Sequence, residues 1–144
     1  MLLRGQVGAI VLGTVFLFIG LAACAIAAIH GRGGVRPLIW QGIFSAMYGT
    51  RILAESPAGM TIFPQAAGAI RDTIVWVITY LLVVPALLFW AEISLGKLRR
   101  FLQRALVLAS LIGIAGVFSV LTARSPYTFL PYNNLLGICL LLVL

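Results

Sequence analysis

The run VGAIVLGTVFLFIGLAACAIAAI, from Val7 to Ile29, holds no charged side chain. It ends at His30-Gly31-Arg32-Gly33-Gly34-Val35-Arg36-Pro37, a short basic turn rich in helix breakers. About 20 apolar residues in helical conformation cross a bilayer core of about 30 Å, so this run predicts a membrane-spanning helix rather than an element of a soluble core. The rest of the chain agrees with it. Of the 144 residues 62% are hydrophobic and only 9% charged, with a mean hydropathy of +1.15, where soluble domains carry about a quarter charged residues. The expected fold class is all-α, a polytopic transmembrane helix bundle of four complete helices and a truncated fifth.

Working outward, Leu38 to Ala54 is a shorter apolar run that carries Arg51 near its end and closes at Glu55-Ser56-Pro57. Ala58 to Ile70, with Gly59, Pro64 and Gly68, is too broken for a span and too apolar for a solvated linker, and is expected to lie on the membrane surface as a loop. Asp72 and Thr73 open the next span, which runs to Gly96 and contains Pro85, whose missing N–H predicts a kink. Lys97, Arg99, Arg100 and Arg104 follow as a basic loop, then a span from Ala105 to Ala123, a second loop through Arg124-Ser125-Pro126 to Tyr132-Asn133-Asn134, and an apolar end from Leu135 to Leu144. The expected spans are therefore about 7–29, 38–54, 73–96, 105–123 and 135–144 of a single membrane region over residues 1–144. The last covers only half a bilayer at about 1.5 Å per residue, so the natural protein is expected to continue beyond Leu144.

The formal net charge of +7 would suggest nucleic acid if the basic residues formed one solvated patch, but they sit between apolar runs, where positive charge sets orientation. Nucleic acid is excluded as a partner on that ground. The first and third loops hold Arg32, Arg36, Lys97, Arg99, Arg100 and Arg104, against Arg4, Arg71 and Arg124, with Arg51 nearby, on the other side. Because the cytoplasmic side holds the excess, the N-terminus is expected outside and the fifth helix to run inward.

Charges at membrane depth are functional candidates by default. Arg51 and Glu55 stand four residues apart on one side of helix two, with Tyr48 three residues before Arg51. Together with Arg71, Asp72 and Arg124 they form the candidate ligand or structural polar cluster, Arg51 and Glu55 being expected to face Arg71, Asp72 or Arg124 rather than lipid. The competing reading is local: Arg51 snorkels to the interface and pairs with Glu55. Glu92 lies a turn from the cytoplasmic end of its span, within reach of Lys97 or the first-loop arginines. Leu21-Ala22-Ala23-Cys24 matches a bacterial lipobox, but the apolar run continues past Cys24, which favours a plain helix cysteine. Gly42 with Ala46, Ser45 with Gly49, and Ala109 with Gly113 are small-residue pairs at helical spacing, suited to close packing inside the bundle and leaving room for a homodimer. Trp40, Trp90, Tyr127 and Tyr132 fall near expected interfaces. A single histidine and two buried-run cysteines assemble no metal set, and neither a nucleophile–base pair nor a phosphate loop is legible, so no metal, cofactor or catalytic residue is expected in this segment.

Gly8 and Gly13, the short arginine turn, and Gly42-Ile43-Phe44-Ser45-Ala46-Met47-Tyr48-Gly49-Thr50-Arg51-Ile52-Leu53-Ala54 together resemble the N-terminal membrane region of bacterial seven-transmembrane receptors with diverse intracellular signalling modules. Through Glu92-Ile93-Ser94-Leu95-Gly96-Lys97-Leu98-Arg99 and Tyr132-Asn133-Asn134-Leu135-Leu136 the likeness is closer to membrane regions that precede a sporulation-stage-II-type serine/threonine phosphatase domain. The resemblance implies a sensory input module, an outside N-terminus, and a cytoplasmic output domain in the same chain: a phosphatase foremost, otherwise a histidine kinase or nucleotide cyclase. The alternatives are a small transporter or channel subunit, which would show a polar pathway and inverted repeats, and a passive membrane anchor.

Overall fold

The computed structural model describes residues 2–30, 35–56, 68–122 and 127–143, with side chains over 7–30, 35–56, 68–122 and 127–139. All the described elements are helices: α1 (Leu2–His30), α2 (Arg36–Glu55), α3 (Gly68–Leu81), α4 (Val83–Ile93), α5 (Gly96–Leu121) and α6 (Leu130–Val143). Three helical stretches are long and apolar enough to cross a membrane: Val7–His30, Gly68–Ile93 (α3 and α4 together) and Gly96–Leu121.

Among the described residues three of the four complete spans expected from the sequence meet this measure, and the fourth, α2, does not. Its position explains its composition. α2 packs against α1, α3 and α4, and every residue from Pro37 to Ala54 is at least half-buried, only Arg36 and Glu55 at its ends being exposed. A helix wrapped by its neighbours need not be lipid-compatible all round, and polar side chains at membrane depth face the bundle interior. α1 shows the opposite pattern. It packs chiefly on α2 and turns Val11, Val15, Phe18, Ile19 and Ile26 outward.

The α1–α2 contact is a meeting of backbones. A Cβ built on Gly20 would collide with the backbone nitrogen of Ala46 and lie 2.6 Å from the carbonyl oxygen of Gly42. One on Gly49 would lie 2.5 Å from the Leu17 nitrogen and 2.6 Å from the Gly13 oxygen. Gly42 in turn faces Gly20 and the Cys24 thiol. Gly13 opposite Leu53, Gly20 opposite Ala46 and Cys24 opposite Gly42 define an antiparallel register. Glycines seven residues apart on each helix, Gly13 with Gly20 and Gly42 with Gly49, keep that seam on one side as the helices wind. The small-residue pairs of α2 therefore serve packing within the chain. Cys24 belongs to this seam, in a helix that continues unbroken to His30.

The third span is interrupted where proline dictates. Pro85 has no N–H to offer the Leu81 carbonyl, so the regular pattern lapses at Leu82. Leu82 keeps helical angles (φ −60°, ψ −32°) and still donates to the Ile78 carbonyl at 2.9 Å, so the helical path is carried across the interruption. α4 then packs on α5 through Leu87, Ala91, Leu102 and Ala109, joined by Val83, Ala105 and Leu136.

Several expected boundaries move. The basic stretch from Lys97 to Arg104 is not a loop: it forms the first two turns of α5. The connection is only the extended pair Ser94-Leu95, closed by Gly96 at φ +63°, a left-handed conformation that costs other residues about 1–2 kcal/mol. Lysine, leucine and arginine are good helix formers, and the charge alone did not end the helix. The third span opens at Gly68, so Asp72 lies inside it rather than at its start. Of the expected surface loop, 58–67 lies outside the described residues and 68–70 is helical. α6 starts at Leu130, with Pro131 tolerated in the first turn, so Tyr132, Asn133 and Asn134 are helical rather than loop.

Candidate functional site

Of the six residues of the polar cluster expected from the sequence, four form two local pairs. Arg51 donates from Nε to Glu55 Oε1 at 3.1 Å along α2. Arg71 donates from Nε and Nη2 to Asp72 Oδ1 at 3.0 and 2.7 Å along α3. Arg124 lies outside the described residues. α2 and α3 touch, yet among the described residues no ion pair crosses between them. The side chains of Arg51 and Glu55 keep 31% and 48% of their exposure, which limits such a pair to well under about 1 kcal/mol. Tyr48 turns elsewhere: its ring stands edge-on to Phe16 of α1 at 5.3 Å and stacks on Phe44 at 6.1 Å. Thr50 is spent on the Ala46 carbonyl at 2.8 Å. Among the described members of the expected cluster there are two self-neutralised pairs and an aromatic contact.

The most elaborated polar junction lies in the broken span. Tyr80, one residue before the end of α3, is completely buried. Its ring lies on Gly116 of α5, where a Cβ would run into the ring carbons, and its backbone carbonyl lies against Gly113. A backbone hydrogen bond ties its side chain to Phe129, in the turn before α6. Beside it the Thr79 carbonyl accepts from Asn133 Nδ2 at 3.4 Å, while the Thr79 hydroxyl donates to the Val75 carbonyl at 2.7 Å. One turn earlier, Trp76 meets Tyr127 edge-on at 5.1 Å. Three positions of α3, Trp76, Thr79 and Tyr80, thus hold the turn and first residues of α6, shortly before the break at Leu82. An open groove of about 220 Å³ lined by Ala115, Phe118, Ser119, Thr128 and Phe129 runs beside the same turn.

This arrangement was not picked out from the sequence. A lone tyrosine inside an apolar run is the signal that was there to be read, because a phenol in hydrocarbon requires a hydrogen-bond partner. Chemically the junction binds and positions. Among the described residues no group of three His, Cys, Asp or Glu side chains comes together to hold a metal ion, and Cys24 and Cys139 are free thiols. Glu92 is half-buried and, among the described residues, forms no ion pair with Lys97 or Arg36; Arg32 lies outside them. No family model, curated protein or solved structure matches the chain.

Proposed function

We propose that this chain is the membrane-embedded input module of a bacterial signal-transduction protein, seated in the cytoplasmic membrane and coupled to a cytoplasmic output enzyme in the same polypeptide. The observation that carries the reading is the junction at Tyr80, which ties the turn before α6 to a proline-interrupted helix at the point where that helix can bend. A stimulus that displaces Phe129 or Asn133 has a direct path to α4 and, through Ile93, to the basic start of α5 at the other end of the bundle. In this reading α2 is a fourth complete span, kept in the membrane by its neighbours, and α6 belongs to a fifth.

Charge supports the orientation. At the end holding Arg51 and Arg71 both cations are matched by their own carboxylates, whereas Arg36, Lys97, Arg99, Arg100 and Arg104 at the opposite end have no ion-pair partner among the described residues. The excess marks the cytoplasmic face and leaves the N-terminus outside. Labelling intact cells with a membrane-impermeant maleimide, in a background lacking Cys24 and Cys139, should modify Gly59→Cys and spare Arg100→Cys. The reverse pattern would invert the topology. The reading frame after Leu144 tests the function itself. It is expected to run on through further helices into a catalytic domain, a serine/threonine phosphatase foremost. A stop codon directly after Leu144, with stable insertion of the product, would reject the input reading in favour of a small transporter or channel subunit.

A further inference from the structure

We infer that the exposed basic face at the start of α5 is a binding surface for the phosphodiester headgroups of anionic phospholipids, an inference that rests on the membrane reading of the chain. The chain has only three acidic residues. Glu55 and Asp72 are paired with Arg51 and Arg71, and Glu92 is half-buried and meets none of the α5 cations within ion-pair distance. Lys97, Arg99, Arg100 and Arg104 are all exposed, and among the described residues no carboxylate neutralises them.

Their geometry is that of a surface rather than a random cluster. At about 100° per residue, Lys97, Arg100 and Arg104 fall within about 60° of one another, on the side away from Leu102, which is fully buried in the core, while Arg99 is exposed on a different side of the helix. The first N–H groups of α5 receive no side-chain cap, and they point toward the same end of the helix, where an anionic oxygen is favoured. Apolar side chains are interleaved with the cations: Leu95 is 85% exposed, Phe101 46% and Leu98 37%. The exposed apolar face then continues up the helix through Val107, Leu108 and Leu111. A soluble polyanion would leave those side chains in water. The boundary of an anionic leaflet takes both, the apolar groups among acyl chains and the cations, on their long stems, among phosphates.

Each cation near such a surface contributes on the order of fivefold in affinity. The purified chain in neutral detergent micelles, offered phosphatidylglycerol or phosphatidylcholine and weighed intact by mass spectrometry, should retain phosphatidylglycerol preferentially. Retention should fall at least tenfold in the variant Lys97→Gln/Arg100→Gln/Arg104→Gln, survive in Arg100→Lys/Arg104→Lys, and weaken as salt is raised. Equal retention of the two lipids, or undiminished retention in the glutamine variant, would overturn the inference. So would capture of an oligonucleotide without preference between the lipids. If the glutamine variant does not fold, the lipid preference and salt dependence of the unaltered chain decide alone. Alkaline extraction of membranes carrying the unaltered chain separates the two levels: release by alkali defeats the membrane reading, whereas resistance to alkali without lipid preference defeats only this one.

Discussion

Replacing Gly20 with leucine is expected to unseat α1 from α2 and to cost at least about 3 kcal/mol of stability, the upper part of the range for overpacking a filled interior. The size follows from what the new side chain meets. At most crowded positions a neighbouring side chain can rotate away, but here the obstacles are the backbone nitrogen of Ala46 and the backbone carbonyl of Gly42. Neither moves unless the helix moves. Gly8 provides the internal control, since a Cβ there has nothing within 4 Å. Alanine makes the contrast one of sign: Gly→Ala in a helix normally gains up to about 1 kcal/mol, so Gly8→Ala should be neutral or stabilising while Gly20→Ala destabilises. Reversible unfolding in mixed micelles would measure both, and equal effects at the two positions would refute the backbone seam.

The second large effect is expected at Tyr80. Its side chain is wholly enclosed, and truncating an enclosed aromatic to alanine costs about 3–5 kcal/mol. Tyr80→Phe keeps the ring on Gly116 and removes only the tie to Phe129, for which about 0.5–1.5 kcal/mol is the usual worth. Thermal unfolding of the two variants should therefore give losses in a ratio of several to one. A loss below about 1 kcal/mol for Tyr80→Ala, less than burial of a single aromatic should supply, would mean that the ring is not enclosed as described.

The apolar runs located α1, the α3–α4 span and the body of α5, because period and hydropathy act locally. Pro85 announced the interruption at Leu82 for the same reason. Charge alone marks Lys97 to Arg104 as a boundary, whereas the true punctuation before α5 is Ser94-Leu95-Gly96 and the cations are themselves good helix formers. The α2 small-residue pattern was visible, but the positions on α1 that receive it become meaningful only once the antiparallel register is known. Asn133 looked like a turn residue because asparagine favours turns. Its structural use, donating to the Thr79 carbonyl 54 residues away, is a tertiary fact. Arg51 and Glu55 pair with each other rather than with Arg71 or Asp72 for a related reason. Sequence spacing gives the partner four residues along but says nothing about whether a second helix offers a better one.

On the membrane reading proposed above, the enclosure of α2 also bears on how the chain would enter the bilayer. Its least apolar helix would be a poor candidate for independent insertion, yet the surface that accepts it most intimately belongs to the helix made just before it. Because the two are joined by a short connection, bringing them together closes a small loop at little entropic cost. α1 is thus in place to act as an escort, and the pair can be delivered to lipid as a hairpin with one face of α2 already sheltered. The glycines of the seam would then be needed during biogenesis before the bundle they help to hold together exists.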